Sequence, residues 1–142
     1  MIQPHEASWQ QLSPTLAYRL AALRSIVFVV EQNCPYLDLD GRDLETTTRQ
    51  CWIEGPDGAP VSALRLLAEP GGGWRIGRVV TAASHRGQGL AAILVGHALS
   101  RPGPFVLDAQ AHLGDWYGAF GFHRSGADFL LDGIPHTPMR RP

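Results

Sequence analysis

The stretch from Trp74 to Ser100, WRIGRVVTAASHRGQGLAAILVGHALS, decides how the chain is read. Its β-rich run, Ile76 to Thr81, predicts a strand. A short linker, Ala82 to His85, leads into Arg86-Gly87-Gln88-Gly89-Leu90-Ala91, after which Leu90, Ile93, Leu94 and Ala98 fall at helical spacing on one face. The order is strand, glycine turn, helix. Glycines let backbone N–H groups come close to a ligand, and the first N–H groups of a helix have no internal acceptor. Together they make a site for phosphate oxygens, so the expected ligand is a phosphorylated cofactor. The plain alternative is a turn that only starts a helix tightly. The spacing does not fit GxxxxGK[ST] and the chain has no lysine, which excludes a P-loop nucleotidase; the three-glycine dinucleotide fingerprint is also missing.

Outward from this stretch, 142 residues that are 44% hydrophobic, with no separating linker, predict one compact domain spanning 1–142. A net charge of −1, from 13 acidic residues against 12 arginines, leaves no basic stripe, so nucleic acid is not the expected partner. No apolar run reaches membrane-spanning length, and MIQPHEASWQQ has neither the basic nor the apolar region of a signal peptide. The expectation is a cytoplasmic protein that does not engage a membrane. Cys34 and Cys51 are too few for a disulfide framework and read as structural thiols; none of the six histidines stands at metal-ligand spacing to them, so no metal is expected.

Before the central stretch, His5 to Trp9 predicts a short strand, and Leu12-Ser13-Pro14 announces a helix with Ser13 as N-cap and Pro14 in its first turn. Leu16, Leu20, Leu23, Val27 and Val30 place one face of it on the core. Arg24, Phe28 and Glu31 lie at spacings of three, four and seven, and two readings fit: an intrahelical stabilising set, or a group that puts Glu31 at a pocket mouth. An acidic loop follows, Asn33 to Glu45. If it borders a pocket, Asp38, Asp40 and Asp43 favour a cationic amine by Coulomb attraction; otherwise it is a solvated loop.

Gln50 to Glu54 and Ala59 to Ala68 predict a β-hairpin about Gly55-Pro56-Asp57-Gly58, and a reversal at Pro70 to Gly73 makes three consecutive strands an antiparallel meander. Arg65, between Leu64 and Leu66, points either to solvent or to a neighbouring acid. After the central helix, Phe105 to Ala109 reads as a buried strand reached by a parallel crossover. A short helix from Leu113 to Phe120, a strand from Phe122 and a hairpin turning at Asp132-Gly133-Ile134-Pro135 complete an α/β (α+β) chain with helices on both faces of a mixed sheet.

Arg86, Gly89 and Ala91 resemble the Arg/Gln-x-x-Gly-x-Gly/Ala signature of the GNAT superfamily of N-acetyltransferases, and Trp116-Tyr117-Gly118-Ala119-Phe120-Gly121-Phe122 is similar to the aromatic-Tyr-x-x-x-Gly-Phe segment of that family's cofactor-binding half. VFVVEQ, NCPYLDLDG, IGRVV, RGQGLA, AQAHL, the YxxxGF segment and DGIPH resemble its ElaA-like branch from end to end. Gln50 departs from that branch, which usually has histidine there.

The resemblance implies the GNAT fold, with a mixed, mostly antiparallel sheet of six or seven strands. It also implies acetyl-CoA as cofactor, CoA as product, and direct attack of a primary amine, small or peptidic, on the thioester. Main-chain groups of Val79, Val80 and Thr81 would then hold the pantetheine arm, and Arg86, Gly87, Gln88, Gly89, Leu90 and Ala91 the pyrophosphate. Tyr117 stands at the general-acid position, its plain alternative being a core aromatic with a satisfied hydroxyl. Glu31 is the first candidate for a general base and His112 the second, with Arg24, Phe28, Arg78, Asp108, Gln110 and His136 lining the acceptor pocket. A non-catalytic acyl-CoA-binding or interaction module is the rival reading, and a monomer or homodimer the expected assembly.

Overall fold

The structure, a computed structural model, describes residues 2–142. In chain order it runs β1 (His5–Ala7), α1 (Pro14–Arg24), β2 (Arg49–Glu54), β3 (Pro60–Ala68), β4 (Trp74–Thr81), α2 (Leu90–Ala98), β5 (Phe105–Gln110), α3 (Gly114–Gly118), β6 (His123–Arg124), β7 (Phe129–Leu131) and β8 (Ile134–Arg141). The strands form one sheet in the order β1-β2-β3-β4-β5-β8-β6, with β7 also on β8. Among the described residues only β4 and β5 pair in parallel, joined by α2 as the crossover. The sheet has eight strands rather than six or seven, because the segment after α3 lays two short pieces, β6 and β7, along β8.

The meander from β2 to β4 turns where the sequence offers the chemistry for it: at Gly55–Gly58 the Gly55 amide donates to the Ala59 carbonyl at 2.8 Å. β3 is buried on both sides. Leu64 and Leu66 face a core with Leu94, Val95 and Ala98 of α2, whereas Ala63 faces Leu20, Leu23 and Val27 from the helical segment on the opposite side. Sealing side chains such as Leu94 and Val95 completely from water contributes about 1.5–3 kcal/mol each, so α2 is tightly seated.

The first helix starts as predicted, with Ser13 Oγ accepting from the Leu16 amide at 3.1 Å and Pro14 at its first position. It does not continue as one α-helix. Ser25–Glu31 is π-helical, its end marked by Gln32 N–H donating to Val27 and Cys34 N–H donating to Val29, both five residues back. Each residue there turns by less than the ~100° of an α-helix. The predicted grouping of Arg24, Phe28 and Glu31 is therefore split, leaving Arg24 and Phe28 buried and Glu31 at the surface.

Two local features open the sheet at its middle. The parallel ladder joins Trp74 to Phe105 and Arg75 to Val106 and stops, so the rest of β4 has no partner on its β5 side. Against β3 the register jumps from Ala63–Val80 to Arg65–Gly77, an extra residue in β4 that bends the strand away; Arg78 sits in this bulge with a left-handed φ of 54°. The result is a V-shaped gap closed at Trp74 and open toward Thr81 and Gln110.

Candidate active site

At the open end of the V, Gly87 and Gly89 have φ of 78° and 75°, and a Cβ at either position would meet nothing within 4 Å. Glycine is required there by backbone conformation, and the space it leaves faces a cleft. Gly89 caps α2 without a side-chain hydrogen bond, so the amides of the first turn point outward with no helical acceptor. These groups, with Val79, Val80, Thr81 and Arg86, wall a cavity of about 600 Å³ whose far side is His112, Leu113, Trp116 and Tyr117. Of the loop residues expected to hold a cofactor, Gln88 alone does not line it. An unpaired strand edge, free helix amides and a guanidinium in one cleft suit a ligand that carries amides and a diphosphate.

A second cavity, of about 220 Å³, also borders Tyr117. Phe28, Arg78, Asp108, Gln110 and His136, expected around an acceptor pocket, line this cavity together with Gln32, Cys34, Tyr36, Arg65, Arg75 and Asp132, for which the sequence carried no such expectation. Val79, Leu113 and Tyr117 border both cavities. The Tyr117 ring is held edge-on by Trp116 at 4.8 Å and Phe122 at 6.1 Å between centroids. Its hydroxyl has no hydrogen-bond partner among the described residues, and burial pushes its pKa up to about 12. A phenol so placed stays protonated and has its proton free to give.

Several expected roles do not fit this geometry. Arg24 lines neither cavity. It is 2% exposed and donates to Asp38 Oδ2 at 2.9 Å and to Asp43 Oδ1 at 2.7 Å, so it braces the acidic loop from inside. That loop is not a solvated acidic rim. Asp38 and Asp43 are buried, Arg65 donates to Asp40 at 2.8 Å, and Arg78 pairs with Asp38 at 2.7 Å. Three arginines cancel three aspartates, which removes the anticipated Coulomb attraction for an amine. Arg65 thus points to an acid rather than to solvent, and the Gln50 amide donates to Asp43 Oδ1 at 2.9 Å.

Glu31 also lines neither cavity. Both its oxygens accept from Arg86, Oε2 at 2.7 Å, and this hydrogen-bonded guanidinium lowers the pKa of the Glu31 carboxyl, which makes it a poor proton acceptor. His112 lies on the larger cleft and not on the smaller one. The buried thiol of Cys34 donates to the Asp132 carbonyl at 3.3 Å, and burial raises the pKa of the Cys51 thiol above the ordinary range, so neither is an activated nucleophile.

The family profile described as an acetyltransferase (GNAT) domain matches residues 39–141. The chain belongs to the GNAT acetyltransferase family. This GNAT protein is 49% identical over 138 residues to the UPF0039 protein Rv2851c of Mycobacterium tuberculosis, covering 94% of this chain and 88% of the relative. It is 36% identical over 152 residues to ElaA of Escherichia coli, covering 99% and 97%. The crystal structure of E. coli ElaA superimposes with a TM-score of 0.91 over the whole of both chains. That of an acyl-CoA N-acyltransferase from Pseudomonas aeruginosa, 39% identical, does so with 0.93, again over 100% of each. The ElaA likeness suggested by the sequence pieces holds across the chain, and the GNAT protein is an acyltransferase.

Proposed function

We propose that this GNAT acyltransferase moves an acetyl group from acetyl-CoA to a primary amine, carried by a small molecule or a peptide, as a single-domain cytoplasmic enzyme. The observation that carries this reading is Tyr117, a buried residue with an unpartnered hydroxyl that borders both the cleft suited to a diphosphate-bearing chain and the smaller cavity. Acetyl-CoA supplies the activated thioester. The free edge of Val79, Val80 and Thr81 offers N–H and C=O groups to the pantetheine amides, and the amides at Gly87 to Ala91, with Arg86, take the diphosphate. The amine enters from the smaller cavity and attacks the carbonyl carbon directly, so the C–N bond forms as the C–S bond breaks. Tyr117 gives its proton to the departing sulfur. No side chain here is set up to form an acyl-enzyme, in keeping with direct transfer.

The test has two parts. CoA is expected to raise the midpoint of thermal unfolding, and free thiol is expected to appear from acetyl-CoA only when an amine from a broad panel is present. Protection by CoA with no thiol release from any amine would instead establish a binding module. A midpoint unmoved by CoA would refute the assignment of the larger cleft.

A further inference from the structure

An alkylamine arrives as its ammonium form, so the group that frees its lone pair must border the acceptor cavity and must not already be engaged by a cation. The side chains bordering that cavity can be taken in turn. Asp108 accepts from Arg75 Nη1 at 3.2 Å. Tyr36 donates to Asp38 at 3.4 Å and lies beneath the Arg78 guanidinium, 5.5 Å from the ring centroid. The Cys34 thiol is directed to the Asp132 carbonyl. Two groups remain, Asp132 and His136, one at the turn and one early in β8 of the same hairpin.

His136 is set by its surroundings. Its Nδ1 lies 2.7 Å from the Ile134 carbonyl oxygen, and because a carbonyl only accepts, Nδ1 carries the hydrogen. In the neutral ring the lone pair is then on Nε2, which has no partner among the described residues. The ring stacks on Phe129, 6.0 Å between centroids and 27° between planes, so it is held in one orientation. Its register partner across the β5–β8 ladder is Gln110, which borders the same cavity. Asp132 is different. With Gly133 it makes a two-residue turn of consecutive left-handed residues, φ 51° and 77°, its carbonyl is anchored by Cys34, and its exposed carboxylate has no ion pair or hydrogen bond among the described residues.

We propose that His136 Nε2 is the general base of the transfer and that the Asp132 carboxylate receives the acceptor ammonium at the cavity mouth, an inference that rests on the N-acetyltransferase reading above. Nε2 takes one proton from the ammonium and passes it to solvent. The nitrogen lone pair attacks the thioester carbon, the Tyr117 proton goes to sulfur, and the second proton leaving nitrogen restores the phenol. The amide, the free thiol and one released proton balance the reaction. The acceptor class implied is an amine with a slender approach to its nitrogen, since the cavity is about 220 Å³ and its charged walls, Arg65 and Arg78 included, are already paired to acids.

The experiment compares wild type with His136→Gln, using the fastest alkylamine of the panel and the O-alkylhydroxylamine of matching chain length, whose nitrogen is unprotonated at neutral pH. His136→Gln is expected to lower kcat by at least about 10²-fold with the alkylamine and by much less with the O-alkylhydroxylamine, which needs no proton removed before attack. Unchanged protection by CoA against heat shows that the variant is folded. Asp132→Asn is expected to raise KM for the alkylamine several-fold with kcat retained. Long-range proton–nitrogen correlation spectra of the wild type are expected to show the Nδ1–H tautomer at His136, a readout independent of turnover. Equal losses with both acceptors, no loss with either, or an Nε2–H tautomer would overturn the assignment of the base. An unchanged KM in Asp132→Asn would overturn that of the carboxylate. A wild type that releases no thiol with any amine defeats the underlying reading instead.

Discussion

At the scale of single residues, the Tyr117 hydroxyl and the Glu31–Arg86 ion pair offer the most direct tests of the proposed chemistry. Tyr117→Phe keeps the ring that packs on Trp116 and Phe122 but removes the proton, so kcat is expected to fall about 10²-fold while CoA still protects the fold. The same phenol affects stability at high pH. Its folded pKa of about 12 lies above the ordinary value of 10.0, so its contribution is complete below about 10 and is lost as pH rises through about 12. Tyr36, also raised to about 12 by burial, acts in the same sense. Urea unfolding between these limits is expected to weaken with pH in wild type and to weaken less in Tyr117→Phe. Glu31 holds the Arg86 guanidinium that the proposed diphosphate site would use, so Glu31→Gln is expected to tighten CoA binding by about two- to fivefold in a titration. Tyr117 could be singled out from the sequence because its aromatic and glycine neighbours form a local pattern, and the structure places it on both cavities. Arg24 and the three loop aspartates were not. The arginine–aspartate partners lie 14 to 40 residues apart, and nothing in the spacing of charges tells a buried, neutralised cluster from an open acidic rim.

At the scale of elements, the site depends on where β4 leaves β5. Gly73, φ 85°, lets the chain pass against Pro104, and a Cβ there would lie 2.1 Å from the Pro104 carbonyl oxygen, a backbone atom. Gly73→Ala is expected to cost at least about 2 kcal/mol in chemical denaturation and to weaken CoA binding, because it strains the closed end of the V from which the cleft opens. A stability loss with CoA affinity unchanged would uncouple the two. The hairpin turns at Gly55–Gly58 and Asp132–Gly133 and the parallel crossover through α2 could be read from local turn chemistry and periodicity. The π-helical segment could not. Ile26 to Val30 is apolar at every position, so the pattern carries no phase to show that the winding changes. The bulge at Arg78 was equally silent, since a strand with one extra residue keeps the same composition.

At the scale of the whole molecule, β1 is tied to the rest of the sheet and to α2 by one carboxylate. Glu6 accepts from Arg101, from Arg49 at 2.9 Å and contacts His97 Nε2 at 2.9 Å, and Arg101 foremost holds its carboxyl well below the usual carboxylate range. Asp40, through Arg65, is depressed as well, and so is Asp43, where burial pulls upward and Arg24, Gln50 and Arg65 together outweigh it. These groups stabilise the fold above their unfolded values near 4 and lose that contribution as pH falls toward their folded ones. Stability measured by urea is therefore expected to decline below about pH 5. Glu6→Gln is expected to lose about 1–3 kcal/mol at neutral pH and to show a shallower acid decline, the partial exposure of the cluster keeping the cost below that of a fully buried pair. The two cavities share only Val79, Leu113 and Tyr117 among their lining residues, so under the proposed assignment the acyl donor and the acceptor are expected to bind side by side rather than to take turns. Initial rates with both varied should give reciprocal plots that intersect, where a substituted-enzyme mechanism would give parallel lines. A single compound with the acceptor chain grafted onto the CoA sulfur should lie across both chambers at once and compete with either reactant.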